Sequence, residues 1–433
     1  MTNNAIANAS DRVIKNALSI VNSTYFLHGE LINPNNSYIN ADLNLIETNP
    51  NNINHPELRE YIGTSSISHS LASWNYLSRG IEAILHGDIS SCIHLIYYAE
   101  IRAVMSIMAT EGIGVFNQKH IYYSSAGHPT TFEGGTHVIV DKLIKDWINA
   151  PTKKDKVFSV IKLANFDLGN WIQATGSSVS GGYARAVVKD WFSNWSIDLR
   201  LKDDQRLRNK MSYRPHFKHP VLDQSSVIER LAKIWDSLEP IESSRFQNLD
   251  MHLSRLGIER LFKLTVGRPI TNPKYRTYIE DTFDQIGLSQ NDPTFRFLMR
   301  EDIVEDHIII KEAAKDRHNR LVNLNDPFPM ICRAILLSRF ASGFTNQLLI
   351  DSGVSPNNLG FWWKDIASKT GILDSNVTDI EPIDLFADIR DSLTNLEPDI
   401  PNFTTVWDSN NFAYPDLNNL KQFQRACFWG LGL

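Results

Sequence analysis

Between residues 206 and 220 the chain reads RLRNKMSYRPHFKHP. Arg206, Arg208, Lys210, Arg214 and Lys218 alternate there with Tyr213, His216, Phe217 and His219. Such a set of side chains could handle a phosphate. Arg neutralises a phosphate and grips it through two parallel N–H bonds. His moves protons near neutral pH, and Tyr stacks on a base or donates a hydrogen bond. The same composition also suits a solvated basic hinge, because charge runs usually face water. The whole chain carries a formal net charge of −6. Global attraction to nucleic acid is therefore not expected, and a phosphate site has to be a local patch.

Other chemistries find little support. GSSVSGG at 176–182 lacks the Gly-Lys-Ser/Thr ending of a phosphate loop and follows no strand signal, so it reads as a turn. EGIG at 111–114 reads as a helix C-cap. There is no GxSxG elbow and no HExxH. The carboxylates and lysines of EDIVEDHIIIKEAAK could suggest a metal nuclease, but helical spacing more simply makes them surface pairs. Cys92, Cys332 and Cys427 lie far apart, with no CxxC, and read as reduced core residues. No metal and no cofactor is expected.

The elements that must position the segment are helical. At 433 residues the chain can form two to three domains with real cores. Residues 1–64 read as an N-terminal arm with one short helix, in which Val13, Ile14, Ala17, Leu18 and Val21 share a face. The Asn-rich stretch after it reads as loop. Across 67–112, Leu71, Trp74, Leu77, Ile81, Ile84 and Leu85, then Ile89, Cys92, Ile93, Ile96, Val104, Ile107 and Met108, recur at helical spacing. Only His-Gly-Asp separates the two runs, so they predict an antiparallel helical hairpin. A small irregular insertion with β-prone pieces follows, then helices from about Thr136, over 155–174 and over 183–195.

Beyond Ser225 further helices are expected: VIERLAKIWDSL, FQNLDMHLSRLGIERLFKL, and all of EDIVEDHIIIKEAAKDRHNRLVNL. FPMICRAILLSRFASGFTNQLLIDSG is apolar nearly all round and reads as the buried helix of a second domain. Trp407, Phe412, Phe428 and Trp429 of the loop-rich tail are expected to dock on the body. The expected class is mainly α, divided into an arm (1–64), a first helical domain (65–224) and a C-terminal helical domain (225–433). With no long apolar run and no cleavable leader, a cytoplasmic chain without membrane contact is expected.

Two long antiparallel helices, further helices, and an Arg-Asn pair near a helix start resemble the HEPN superfamily over about residues 65–220. Its motif is an Arg, usually with a polar follower, then four to six residues before a His. Arg208-Asn209 matches the first half. With four residues between, the second position is Tyr213; His216 follows after seven. Arg214 and His219 fit the spacing with Pro215 right after the Arg, and Arg79–His86, Arg245–His252 and Arg300–His307 fit a spacing of six. The resemblance implies a metal-independent ribonuclease of a bacterial antiviral defence or toxin system, acting as a homodimer. In it Arg208 would hold the scissile phosphate and Asn209 would orient that Arg or the ribose 2'-hydroxyl. His216, or failing it His219, would move the proton, and Tyr213 would stack or donate. Arg206, Lys210, Arg214, Lys218 and His219 would bind RNA. The alternative is a non-catalytic helical scaffold or sensor subunit of a multi-protein complex, with a partner protein on the C-terminal half. Tyr213 at the motif's His position favours it.

Overall fold

The computed structural model describes residues 1–40, 53–150, 153, 155–194, 200–213, 221–241, 245–301, 307–315, 326–374, 380–412 and 414–433. It is mainly α, with a three-stranded and a two-stranded antiparallel sheet. The central element is the hairpin of α3 (His55–Leu85) and α4 (Ile89–Thr110). Its start and turn are local chemistry. Asn54 accepts from the backbone N–H of Glu57, and Pro56 sits in the first turn of α3, where its missing donor costs nothing. Gly87 turns with φ +73°, and Asp88 caps α4 through the N–H of Ser91 at 2.9 Å. Trp74, Leu77, Ile93 and Ile96 are all buried, as the spacing predicts.

The arm belongs to the body. α1 (Thr2–Asn8), which the sequence does not announce, buries Ala5 and Ile6. α2 (Arg12–Thr24) packs on α3 through Ile14 and Leu18. Gly63 permits this approach, since a Cβ there would lie 2.9 Å from Leu18 Cγ. After α4, strands β1 (Ile113–Gly114), β2 (Lys119–Tyr123) and β3 (Pro129–Glu133) form the expected insertion, with Gly114 paired to Ile121 and Ile121 to Thr131. It leads into α5 (Thr136–Asn149). The helix expected over 155–174 is broken. Helices Asp155–Val160 and Leu168–Ala174 flank a tight hairpin at Ala164 and Asn165, both at positive φ, a conformation no helix contains.

α6 (Leu201–Tyr213) carries the basic segment and lies against α4. α7 (Gln224–Asp236) and α8 (Gln247–Val266) match two of the expected C-terminal helices. Of EDIVEDHIIIKEAAKDRHNRLVNL only Ile308–Ala313 is described as helix; 302–306 and 316–325 lie outside the described residues. α9 (Phe328–Asp351) is buried on every side, but it does not centre a separate core. It packs on α3 and α4, with Trp74 Nε1 donating to Ser342 Oγ at 2.9 Å and Ser106 Oγ 3.1 Å from Thr345 Oγ1. The boundary expected near residue 224 therefore does not divide the core, because the hairpin supplies the surface that α9 needs. In the tail Phe428 and Trp429 are buried, while Trp407 is 76% exposed and undocked; the side chain of Phe412 lies outside the described residues. Among the described residues only α4 is long and apolar enough to cross a membrane, and most of it is buried in the body.

Candidate functional site

α6 presents two faces with opposite fates. Leu207 and Met211 are buried, and so is Asp204, which is 0% exposed. Both arms of Arg333 on α9 donate to Asp204, at 2.6 and 3.2 Å. The next face carries Arg208 and, one turn on, Ser212. The Arg208 guanidinium lies over two rings of α4, 5.2 Å from the Tyr97 centroid and 5.9 Å from that of Tyr98. Its Nε–H is buried and has no acceptor among the described residues. Neither neighbouring acid neutralises it, since Asp203 pairs with exposed Arg206 at 3.1 Å and Asp204 with Arg333.

Two histidines flank this cation. The His94 ring on α4 lies 5.1 Å from that of Tyr98, tilted by 50°, and its Nδ1 is 3.3 Å from Ser212 Oγ. His137, in the first turn of α5, lies parallel to Tyr97 at 5.7 Å, with Nδ1 3.0 Å from Tyr97 Oη. Burial first, and then the Arg208 charge, hold both imidazoles below their ordinary pKa. Burial also raises the Tyr97 hydroxyl, with Arg208 opposing. At neutral pH the cluster therefore holds a cation with no carboxylate partner among the described residues, two neutral imidazoles and a protonated Tyr97 phenol. The first turn of α5 holds no acid, which leaves its positive helix end uncompensated there. The nearest carboxylate of α5, Asp141, is engaged by Lys145 at 2.6 Å.

Tyr98 and His137 also line a cavity of about 270 Å³ between α3, α4, the β1–β2 connection and the start of α5. Tyr61, Phe116 and Met105 supply apolar wall, and Arg102 and His69 supply polar groups. Arg102 Nη1 donates to His69 Nδ1 at 3.2 Å. Burial and then the Arg102 charge push His69 far below its ordinary pKa.

Of the residues singled out from the sequence, only Arg208 stands in this cluster. Asn209 is half-buried on α6, about 100° round the helix from Arg208. Tyr213 is 77% exposed and about 140° from Arg208, so it does not share the cleft. Arg206 is spent on Asp203, and Lys210 is half-buried on α6. Arg214, His216, Lys218 and His219 lie outside the described residues. Of the other Arg–His spacings, Arg300 is held by Glu259 through both arms, and Arg245 donates to the Trp429 carbonyl. The residues missed are His94, Tyr97, Tyr98 and Arg102, and His137 across from them. A signal was present: His94, Tyr98 and Arg102 recur every four residues through a largely apolar helix. Among the described residues no three His, Cys, Asp or Glu gather as metal ligands.

The fold and cleft define a mainly helical protein with a cationic, aromatic-lined site. Comparison with family models, with curated proteins and with solved structures finds no match.

Proposed function

We propose that the Arg208 cleft binds RNA and cleaves it without a metal, in the manner of the HEPN-like ribonucleases the chain resembles. The observation that carries the reading is Arg208 itself: a guanidinium without a carboxylate among the described residues, seated on two tyrosines between two neutral histidines. A structural arginine in a chain with 49 acidic residues usually finds one of them. Arg208 would hold the scissile phosphate and stabilise its growing charge. In the tautomer that donates Nδ1–H to Tyr97 Oη, His137 presents a bare Nε2. That nitrogen takes the proton of the ribose 2'-hydroxyl, and O2' bonds to phosphorus as the bond to the 5'-oxygen breaks. The fraction of His94 that is protonated, which grows as pH falls below the ordinary imidazole pKa, gives the leaving oxygen its proton. The products are a 2',3'-cyclic phosphate and a 5'-hydroxyl.

The test is incubation of the purified chain with end-labelled single-stranded RNA in EDTA. Cleavage to cyclic-phosphate ends is expected, with Arg208→Ala inactive and its melting temperature close to that of the parent. The HEPN-like reading also calls for a homodimer, measured by light scattering. The place of Tyr213, outside the cleft at the motif's histidine position, favours a second reading, a scaffold or sensor subunit that binds RNA or a protein without cutting. RNA bound but uncut by the parent chain would select it.

A further inference from the structure

The cavity beside Arg208 has a lopsided inventory of polar groups. Among the described residues Arg102 makes one hydrogen bond, to His69, and pairs with no carboxylate. Because Arg always donates, His69 Nδ1 must accept, so its proton sits on Nε2 and adds another donor. The hydroxyls nearby are already used: Ser65 Oγ donates to the Ile62 carbonyl at 2.8 Å, and Thr136 Oγ1 to that of Phe116 at 2.7 Å. The polar end of the cavity therefore asks for acceptors. The rest is aromatic. The Tyr61 and Phe116 rings lie 23° from parallel with centroids 6.3 Å apart, and Tyr98 closes the side toward Arg208.

A phosphate would satisfy Arg102 but make no use of the aromatic wall that Tyr61 and Phe116, stacked on each other, present. A flat bicyclic base with two adjacent acceptors uses both. Guanine offers O6 and N7 to a guanidinium fork, whereas adenine sets an N6 donor against it. Flipped bases of single-stranded RNA stack on aromatic side chains in this way. We infer that the cavity is a guanine subsite, filled by a base of single-stranded RNA whose backbone runs past Tyr98 to Arg208. The inference rests on the RNA reading above and adds its sequence preference.

The test uses oligo-uridine carrying one central G, A or C, with every ribose 2'-O-methylated so that no strand can be cut, and fluorescence anisotropy as the readout. The G strand is expected to bind about tenfold or more tighter than the A and C strands, the size of one bidentate pair. Arg102→Ala and the more conservative Arg102→Gln should both bring G down to the level of A, with circular dichroism unchanged. Equal affinity for all three strands, a preference for C, or a G preference that survives both substitutions would overturn the inference. Guanosine monophosphate should compete weakly; if it binds tighter than the G strand, the cavity serves a free nucleotide and the RNA subsite is wrong. The two proposals fail separately. A chain that prefers G but never cuts unmodified RNA keeps the subsite and loses the nuclease. A chain that cuts RNA with no preference for G keeps the nuclease and loses the subsite.

Discussion

Arg333 and Arg208 both meet α6, one turn apart, and their surroundings differ in one respect. Arg333 is buried and answered by Asp204 through two hydrogen bonds. Arg208 is half-buried and, among the described residues, answered only by aromatic faces. Glu100 on α4 completes the first site. It is 1% exposed, neither of its oxygens has a donor, and its neighbour is the Asp204 carboxylate. Burial first and Asp204 second push its pKa well above the usual carboxylate range, so Glu100 is protonated and can donate to Asp204. That site closes its charge balance inside the fold, with a net charge near zero. The Arg208 cleft leaves its positive charge open to an outside partner. That open charge, rather than the local density of basic residues, is what supports the proposed RNA site.

The comparison breaks most visibly at Arg333. Arg333→Ala strands a buried carboxylate and should cost about 3–5 kcal/mol in urea unfolding. Arg208→Ala should stay within about 1 kcal/mol of the parent, since it loses a cation–π contact and no ion pair. Equal losses would mean that both arginines are structural.

Cleavage should fall about a hundredfold or more in His137→Ala if that imidazole is the base. The parent's kcat/KM needs His137 neutral and His94 protonated, and both titrate below their ordinary value of about 6.5. Its optimum is therefore expected below about pH 6.5, with a decline on the alkaline side. An optimum at pH 8 would remove His94 as the acid.

Glu100→Gln sharpens the other side. With a raised folded pKa, the native state holds a proton that the unfolded state releases above about pH 4.5, so stability falls as pH rises past that value. Gln keeps the donor and has no proton to take up. Its melting temperature should exceed the parent's at pH 8 by on the order of a few degrees and converge with it near pH 4. A variant less stable at pH 8 would show that Glu100 is charged. The smallest effect is reserved for Arg206→Ala. Although it lies two residues from Arg208, its exposed pair with Asp203 should be worth less than about 0.5 kcal/mol, and RNA cleavage should be unchanged.

Much of the fold was legible because its causes are local. The apolar spacing of α3 and α4, the Asp88 cap and the Gly87 turn all act within a few residues, so the hairpin could be read without the rest of the chain. The same holds for the start of α5 at Thr136 and for the all-round apolar character of α9. The break at Ala164 and Asn165 was not legible, because helical spacing on either side says nothing of a positive φ between.

What the sequence by itself determined was that Arg208 is a candidate cation among aromatic and basic residues, and that α4 is a core helix; it pointed to a helix start for Arg208, whereas the residue stands in the second half of α6. Tertiary structure decided which neighbours Arg208 has. It meets Tyr97 and Tyr98 of α4 and His137 of α5, residues separated from it by more than seventy positions, rather than Tyr213 on its own helix. The reason is geometric. Positions five apart on a helix point away from each other, whereas the packing of α6 on α4 brings two faces together whatever their distance along the chain. Packing also decided which arginine stays unpaired, since Asp204 turns inward to Arg333 and leaves Arg208 facing the cleft.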